Sequence, residues 1–112
     1  MEQNLAVDAM RDAAKQATTL LRVLANEDRL LLLCQLSRGE RSVGELESLL
    51  GIYQPTLSQQ LGVLRTEGMV HTRRESKRIY YSVADPKVLA LLQTLYTLFC
   101  PQQDGPAAES EA

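Results

Sequence analysis

The sequence predicts a mainly α-helical protein carrying one β-hairpin. Three observations predict it. Apolar residues recur at helical spacing in several stretches, as in Met10, Ala13, Ala14, Ala17, Leu20, Leu21 and Leu24. Helix-capping signals stand ahead of three later stretches, at Asn26, at Ser42 with Glu45, and at Asp85 with Pro86. Between the last two lies MVHTRRESKRIYYSV, whose β-branched and aromatic residues alternate at a period of two.

In chain order, the first helix covers Ala6 to Leu24. Asn26 caps the second, with Glu27 and Asp28 in its first turn, where the helix dipole favours acids. This helix runs through LLLLCQL and stops near Gly39. Ser42 and Glu45 form a capping box for VGELESLL, which ends at Gly51. A fourth helix begins with Pro55 at its first position and Gln54 as its cap. Leu57, Leu61 and Leu64 are its buried stripe, and Gly68 closes it. Two strands follow, joined by a tight turn near Glu75 and Ser76. Val70 and Thr72 lead in, and Ile79, Tyr81 and Val83 alternate on the way out. The last helix restarts at Asp85 and Pro86 and runs through VLALLQTLYTLFC to Pro101. The polar stretch 101–112 reads as a disordered acidic tail after a single domain, 1–100.

The order is four helices, a hairpin and a helix (α-α-α-α-β-β-α). Two short helices separated by GIYQ and followed at once by a basic hairpin describe a winged helix-turn-helix. The formal charge of −2 disguises the distribution that matters. Residues 53–81 hold Arg65, Arg73, Arg74, Lys77 and Arg78 against Glu67 and Glu75. No run of about 18 apolar residues is present. The N-terminus also lacks a basic start followed by an apolar stretch, so the chain reads as cytoplasmic, with no membrane partner.

The fourth helix opens with short, uncharged hydrogen-bonding side chains where a solvated helix is usually laced with charge. A helix entering the DNA major groove needs groups that both donate and accept, and the reading positions lie near its N-terminus. Gln54, Thr56, Ser58 and Gln59 are placed for this, and Glu or Asp there would be repelled by phosphate. Arg73, Arg74, Lys77 and Arg78 of the hairpin would hold the neighbouring backbone or reach the minor groove. Each feature alone fits an ordinary polar surface. Together, after a helix-turn spacing, they describe a double-stranded DNA-binding module, although winged helices also bind proteins. There is no Ser-His-Asp set, paired carboxylate or phosphate-binding glycine loop, and the single histidine, His71, leaves little scope for acid–base catalysis. The expectation is a non-enzyme without a cofactor.

SVGELESLLGIYQPTLSQQLGVLRTEGMV, with RRESKRIYYSV after it, resembles the ArsR/SmtB family of bacterial winged-helix repressors over about residues 15–100. The resemblance implies a homodimer joined through the first and last helices. It also implies a near-palindromic operator and DNA release by an inducer. Gln60 stands where many relatives carry His, and it joins the DNA-binding positions as a departure from the pattern. The family's metal sites transfer poorly. The segment SVGELES lacks the Cys-x-Cys of arsenic-type members, and DPKVLALLQTLYTLFC lacks the His of zinc-type members.

The similarity is closer to the sulfide-responsive branch, through SVGELE, QPTLSQQLGVLR and LYTLFC. In that branch one Cys of the second helix and one near the end of the last helix form a redox pair. Cys34 and Cys100, with 65 residues between them, occupy those places. The resemblance therefore implies a thiol switch for reactive sulfur species, with a disulfide or a sulfur-bridged crosslink as the induced state. Such a crosslink would tie the recognition frame to the dimer helix and shift the spacing of the two recognition helices. Arg38, one turn after Cys34, favours Cys34 as the first thiol to react. The alternatives are a metal-responsive repressor of the same family and a winged helix that binds protein.

Overall fold

The computed structural model describes residues 2–100. The tail expected at 101–112 lies outside the described residues. The elements are α1 (Glu2–Leu24), α2 (Glu27–Leu36), β1 (Arg41–Ser42), α3 (Val43–Leu50), α4 (Thr56–Thr66), β2 (Val70–Glu75), β3 (Arg78–Val83) and α5 (Pro86–Phe99). The expected order is present, with one addition. Arg41 and Ser42 pair with Tyr81 and Tyr80, so the hairpin becomes a three-stranded antiparallel sheet in the order β1-β3-β2. A two-residue strand has no periodicity to read, and its pairing is decided by where β3 passes.

The caps work as their chemistry requires. Asn26 Oδ1 accepts from the Arg29 backbone N–H at 3.0 Å. Ser42 Oγ accepts from Glu45 N, and Glu45 Oε1 accepts from Ser42 N at 2.8 Å, which completes the capping box. The Ser42 backbone N–H is the main cause that holds the Glu45 carboxyl below the usual carboxylate range. Asp85 caps α5 by accepting from Lys87 N at 2.8 Å. Two details differ from the sequence reading. α1 starts four residues earlier than expected, at Glu2, because no breaker precedes Ala6. α4 begins at Thr56 with Pro55 as the cap residue. Pro55 has no side-chain acceptor to offer, so the neighbouring Gln54 supplies one, its Oε1 accepting from Ser58 N at 3.1 Å.

α4 closes in a Schellman motif. Met69 N donates to Leu64 O at 2.9 Å and Gly68 N to Arg65 O at 3.0 Å, with Gly68 at φ +74°. Met69 then turns inward and is buried. This turn delivers the chain from the end of α4 directly into β2. The hairpin register pairs Glu75 with Arg78, leaving Ser76 and Lys77 as a two-residue turn, of which only Ser76 takes positive φ.

α2 lies at the centre, packed on α1, α3, α4 and β3. Leu32 and Leu33 of α2 are fully buried with Leu46 of α3, Leu57 and Leu64 of α4, and Val88 of α5. Leu61 belongs to the same cluster, so the stripe expected on α4 is its inner face. No helix among the described residues is long and apolar enough to cross a membrane.

Candidate nucleic-acid interface and dithiol groove

With Leu57, Leu61 and Leu64 turned into the core, helical geometry directs the polar residues of α4 outward. Gln54, Ser58 and Gln59 are exposed and Thr56 is half-buried. The Gln54 carbonyl oxygen is occupied by the helix, which leaves its amide N–H groups as donors. Tyr53, beside them in the turn before α4, is exposed and was missed in the sequence, where it read as part of a spacer. Gln60 stands apart. It is half-buried on the flank facing α2, and its Oε1 accepts from Arg29 Nη1 at 3.0 Å.

The wing carries all four expected cations, but they are not equivalent. Arg73 is engaged within the protein. Its Nε and Nη2 donate to the two carboxylate oxygens of Glu40, at 2.9 and 2.7 Å, and its Nη1 reaches Glu75 at 3.2 Å. Its guanidinium also lies 4.8 Å from the ring centre of Tyr80, its cross-strand neighbour. The Arg73 hydrogen bonds hold the Glu40 carboxyl below the usual carboxylate range, and Glu40 in turn raises Arg73 further into its always-protonated range. Arg74 and Lys77 are exposed, and among the described residues their side chains make no hydrogen bond or ion pair. Arg78 is also exposed and contributes to lowering the Glu45 carboxyl. Glu40 was not legible as a site residue. It lies 33 positions from Arg73, and only the sheet, with β1 and β2 on either side of β3, brings them within reach.

The fold brings the two cysteines to one groove. Cys34 of α2 and Cys100, the C-terminal cap of α5, line one groove of about 640 Å³ between those helices, together with Leu31, Arg38, Leu92 and Tyr96. Both are free thiols; Cys34 is half-buried and Cys100 exposed. Burial pushes the Cys34 thiol up, and the neighbouring Cys100 adds to this. Arg38 opposes the shift, as its spacing promised, but burial outweighs it. Cys100 is thus the accessible thiol and Cys34 the sheltered one, which weighs against the expectation that Cys34 reacts first. Among the described residues of one protomer, no three His, Cys, Asp or Glu side chains are grouped as a metal site would need.

The family model for "Bacterial regulatory protein, arsR family" matches residues 26–72, from the α2 cap into β2. The biofilm growth-associated repressor of Agrobacterium fabrum is 52% identical over 97 residues, covering 87% of this chain and 83% of that protein. The crystal structure of the transcriptional repressor BigR from Xylella fastidiosa superposes with a TM-score of 0.80 at 50% identity, covering 85% of this chain and 97% of that one. A solution structure from Mycobacterium bovis, described as a homodimeric winged helix-turn-helix DNA-binding domain, gives a TM-score of 0.69 at 32% identity, covering 81% and 84%. The chain belongs to the arsR family of bacterial regulatory proteins, and it is a transcription regulator rather than an enzyme.

Proposed function

We propose that the protein is a homodimeric, DNA-binding repressor, released from its operator when reactive sulfur species oxidise Cys34 and Cys100. The observation that carries the switch is that the thiols of α2 and α5 line one groove. The polar, uncharged N-terminal part of the outer face of α4, beside a cationic wing, supports the DNA reading. In this reading Gln54, Thr56, Ser58 and Gln59 meet base edges or phosphates in the major groove, and Arg74, Lys77 and Arg78 meet backbone phosphates. Arg73 holds the wing in shape, and Gln60 holds α4 in place. The operator is near-palindromic because the dimer is two-fold.

The dimer is supported by apolar surface that one protomer leaves uncovered. Met10 of α1 is 71% exposed, and Leu98 and Phe99 of α5 are 68% and 78% exposed. Burial against a second copy removes this surface from water. The protein acts in the cytoplasm, where its DNA lies and thiols rest reduced.

The switching chemistry balances with an organic persulfide as oxidant. The Cys100 thiolate attacks the terminal sulfur of the persulfide, giving a Cys100 persulfide and releasing the parent thiol. The Cys34 thiolate then attacks Cys100 Sγ, forming the Cys34–Cys100 disulfide and expelling hydrosulfide. Two protein thiols are oxidised, and one zero-valent sulfur is reduced to sulfide. With a second equivalent of persulfide, which converts Cys34 to its persulfide, the outer sulfur on Cys34 attacks Cys100 Sγ, giving a trisulfide crosslink and again expelling hydrosulfide.

Fluorescence anisotropy on DNA from upstream of the protein's own gene tests the reading. Reduced protein, persulfide-treated protein and the Cys34→Ser variant are compared at fixed salt, since salt alone moves affinity by orders of magnitude. The expected pattern is tight binding when reduced, loss on treatment, and no loss in the variant. Binding that persists after treatment sinks the sulfur switch. Binding in no state sinks the DNA reading at that site.

A further inference from the structure

Arg29 joins three helices at one cation. It occupies the first turn of α2, and its guanidinium is part-buried. Its Nε donates to Val23 O at 2.6 Å and its Nη2 to Arg22 O at 3.4 Å. Both carbonyls belong to the last turn of α1, where no following helical N–H remains to satisfy them and where the helix dipole favours a cation. The remaining arm, Nη1, donates to Gln60 Oε1 of α4 at 3.0 Å.

Gln60 is one residue beyond Gln59 and two beyond Ser58, so the bond restrains rotation of α4 about its own axis. Such a rotation would carry Ser58 and Gln59 away from any surface they face. A planar guanidinium with donors in a fixed fork suits this task, because it fixes the direction of each acceptor as well as its distance.

We propose that Arg29 is the positioning residue through which the thiol pair controls the recognition helix, with Gln60 as its receiver. The proposal rests on the repressor reading above. Cys34 lies five residues after Arg29 on α2, and its crosslinking partner is on α5. Drawing Cys34 toward Cys100 moves or rotates α2 as a rigid element. Arg29 must then shift relative to Val23 of α1 or Gln60 of α4, because three directional bonds from α2 to two other helices cannot all be kept. α1 is also a dimer helix in this reading, so the same cation links the dimer frame to the DNA-reading face.

The test measures operator affinity before and after persulfide crosslinking in wild type, Gln60→Leu and Gln60→Glu. It also follows the Arg29 Nε–H resonance by NMR without DNA. Crosslinking is expected to weaken wild-type binding by about tenfold or more. Gln60→Leu removes the acceptor and should weaken reduced-state binding while bringing the crosslinking ratio below about threefold. Gln60→Glu restores an acceptor and should keep the wild-type ratio even where absolute affinity falls. The Arg29 Nε–H signal should shift on crosslinking in wild type and stay fixed in Cys34→Ser. A full ratio in Gln60→Leu, or an unmoved Arg29 signal, overturns the proposal. If Gln60→Leu does not fold, Arg29→Lys, with a single-point donor in place of the fork, carries the same comparison. Because the NMR readout needs no operator, failure of the repressor reading and failure of this coupling remain separate results.

Discussion

The same substitution, glycine to alanine, should have opposite effects at Gly62 and Gly68, the two ends of one question about α4. Gly62 is in the interior of α4, and a Cβ there would meet nothing within 4 Å. Adding a methyl therefore causes no clash and removes freedom from the unfolded chain. The gain should be about 0.5–1 kcal/mol. Gly68 also has nothing within 4 Å of an added Cβ, but its φ is +74°. Its cost is purely conformational, since a non-glycine residue in the left-handed region loses about 1–2 kcal/mol. The two variants should thus lie about 1.5–3 kcal/mol apart. With a urea m-value of about 1.5 kcal/mol/M, their unfolding midpoints should differ by about 1–2 M, with wild type between them. Urea unfolding by circular dichroism is the assay. Protomer concentration is held constant, because association contributes to the apparent stability of a dimer. A Gly68→Ala variant as stable as wild type would refute the Schellman account of how α4 hands over to the wing. A destabilised Gly62→Ala would refute the open geometry assigned to the outer face of α4.

Further outcomes follow from the site. In timed iodoacetamide labelling mapped by mass spectrometry, Cys100 should be modified before Cys34; faster labelling of Cys34 would contradict its sheltering. Because the folded state holds the Cys34 thiol protonated beyond its ordinary range, its contribution to stability is present below that range. It is lost as pH rises through the shifted value, so a Cys34→Ser variant should lose less stability than wild type in an alkaline titration. Arg74→Ala should weaken DNA binding on all sequences and reduce the salt slope by about one. Arg73→Ala should instead return the Glu40 carboxyl toward its ordinary titration range by NMR; an unmoved Glu40 would refute their pairing. Met10→Glu places a charge in the uncovered face of α1 and should shift sedimentation toward monomer. An unchanged dimer would move the interface elsewhere.

The local signals in this sequence were reliable where one short segment contains both partners of an interaction. Asn26, the Ser42–Glu45 box, Asp85, Gly68 and the Leu57–Leu61–Leu64 stripe all act within a turn or two of themselves, so spacing alone identifies them. The polar outer face of α4 was legible for the same reason: once the stripe is inside, the period of the helix decides what is outside. The cations of the wing could be counted but not ranked. Arg73 and Arg74 are adjacent and chemically identical, yet one is tied to Glu40 and the other makes no ion pair among the described residues.

What the sequence by itself determined is the order of the elements, their ends, and the chemistry each surface offers. Tertiary structure decided what that chemistry is used for. It set Glu40 against Arg73, Arg29 against Gln60, and the residues of β1 against β3, across separations that carry no local pattern. It also sheltered Cys34 and left Cys100 accessible. Arg38 is one turn from Cys34 and does favour its thiolate, but the apolar side chains packed around that thiol come from elsewhere in the fold. Desolvation depends on everything that excludes water from a group, and only the assembled core fixes that quantity.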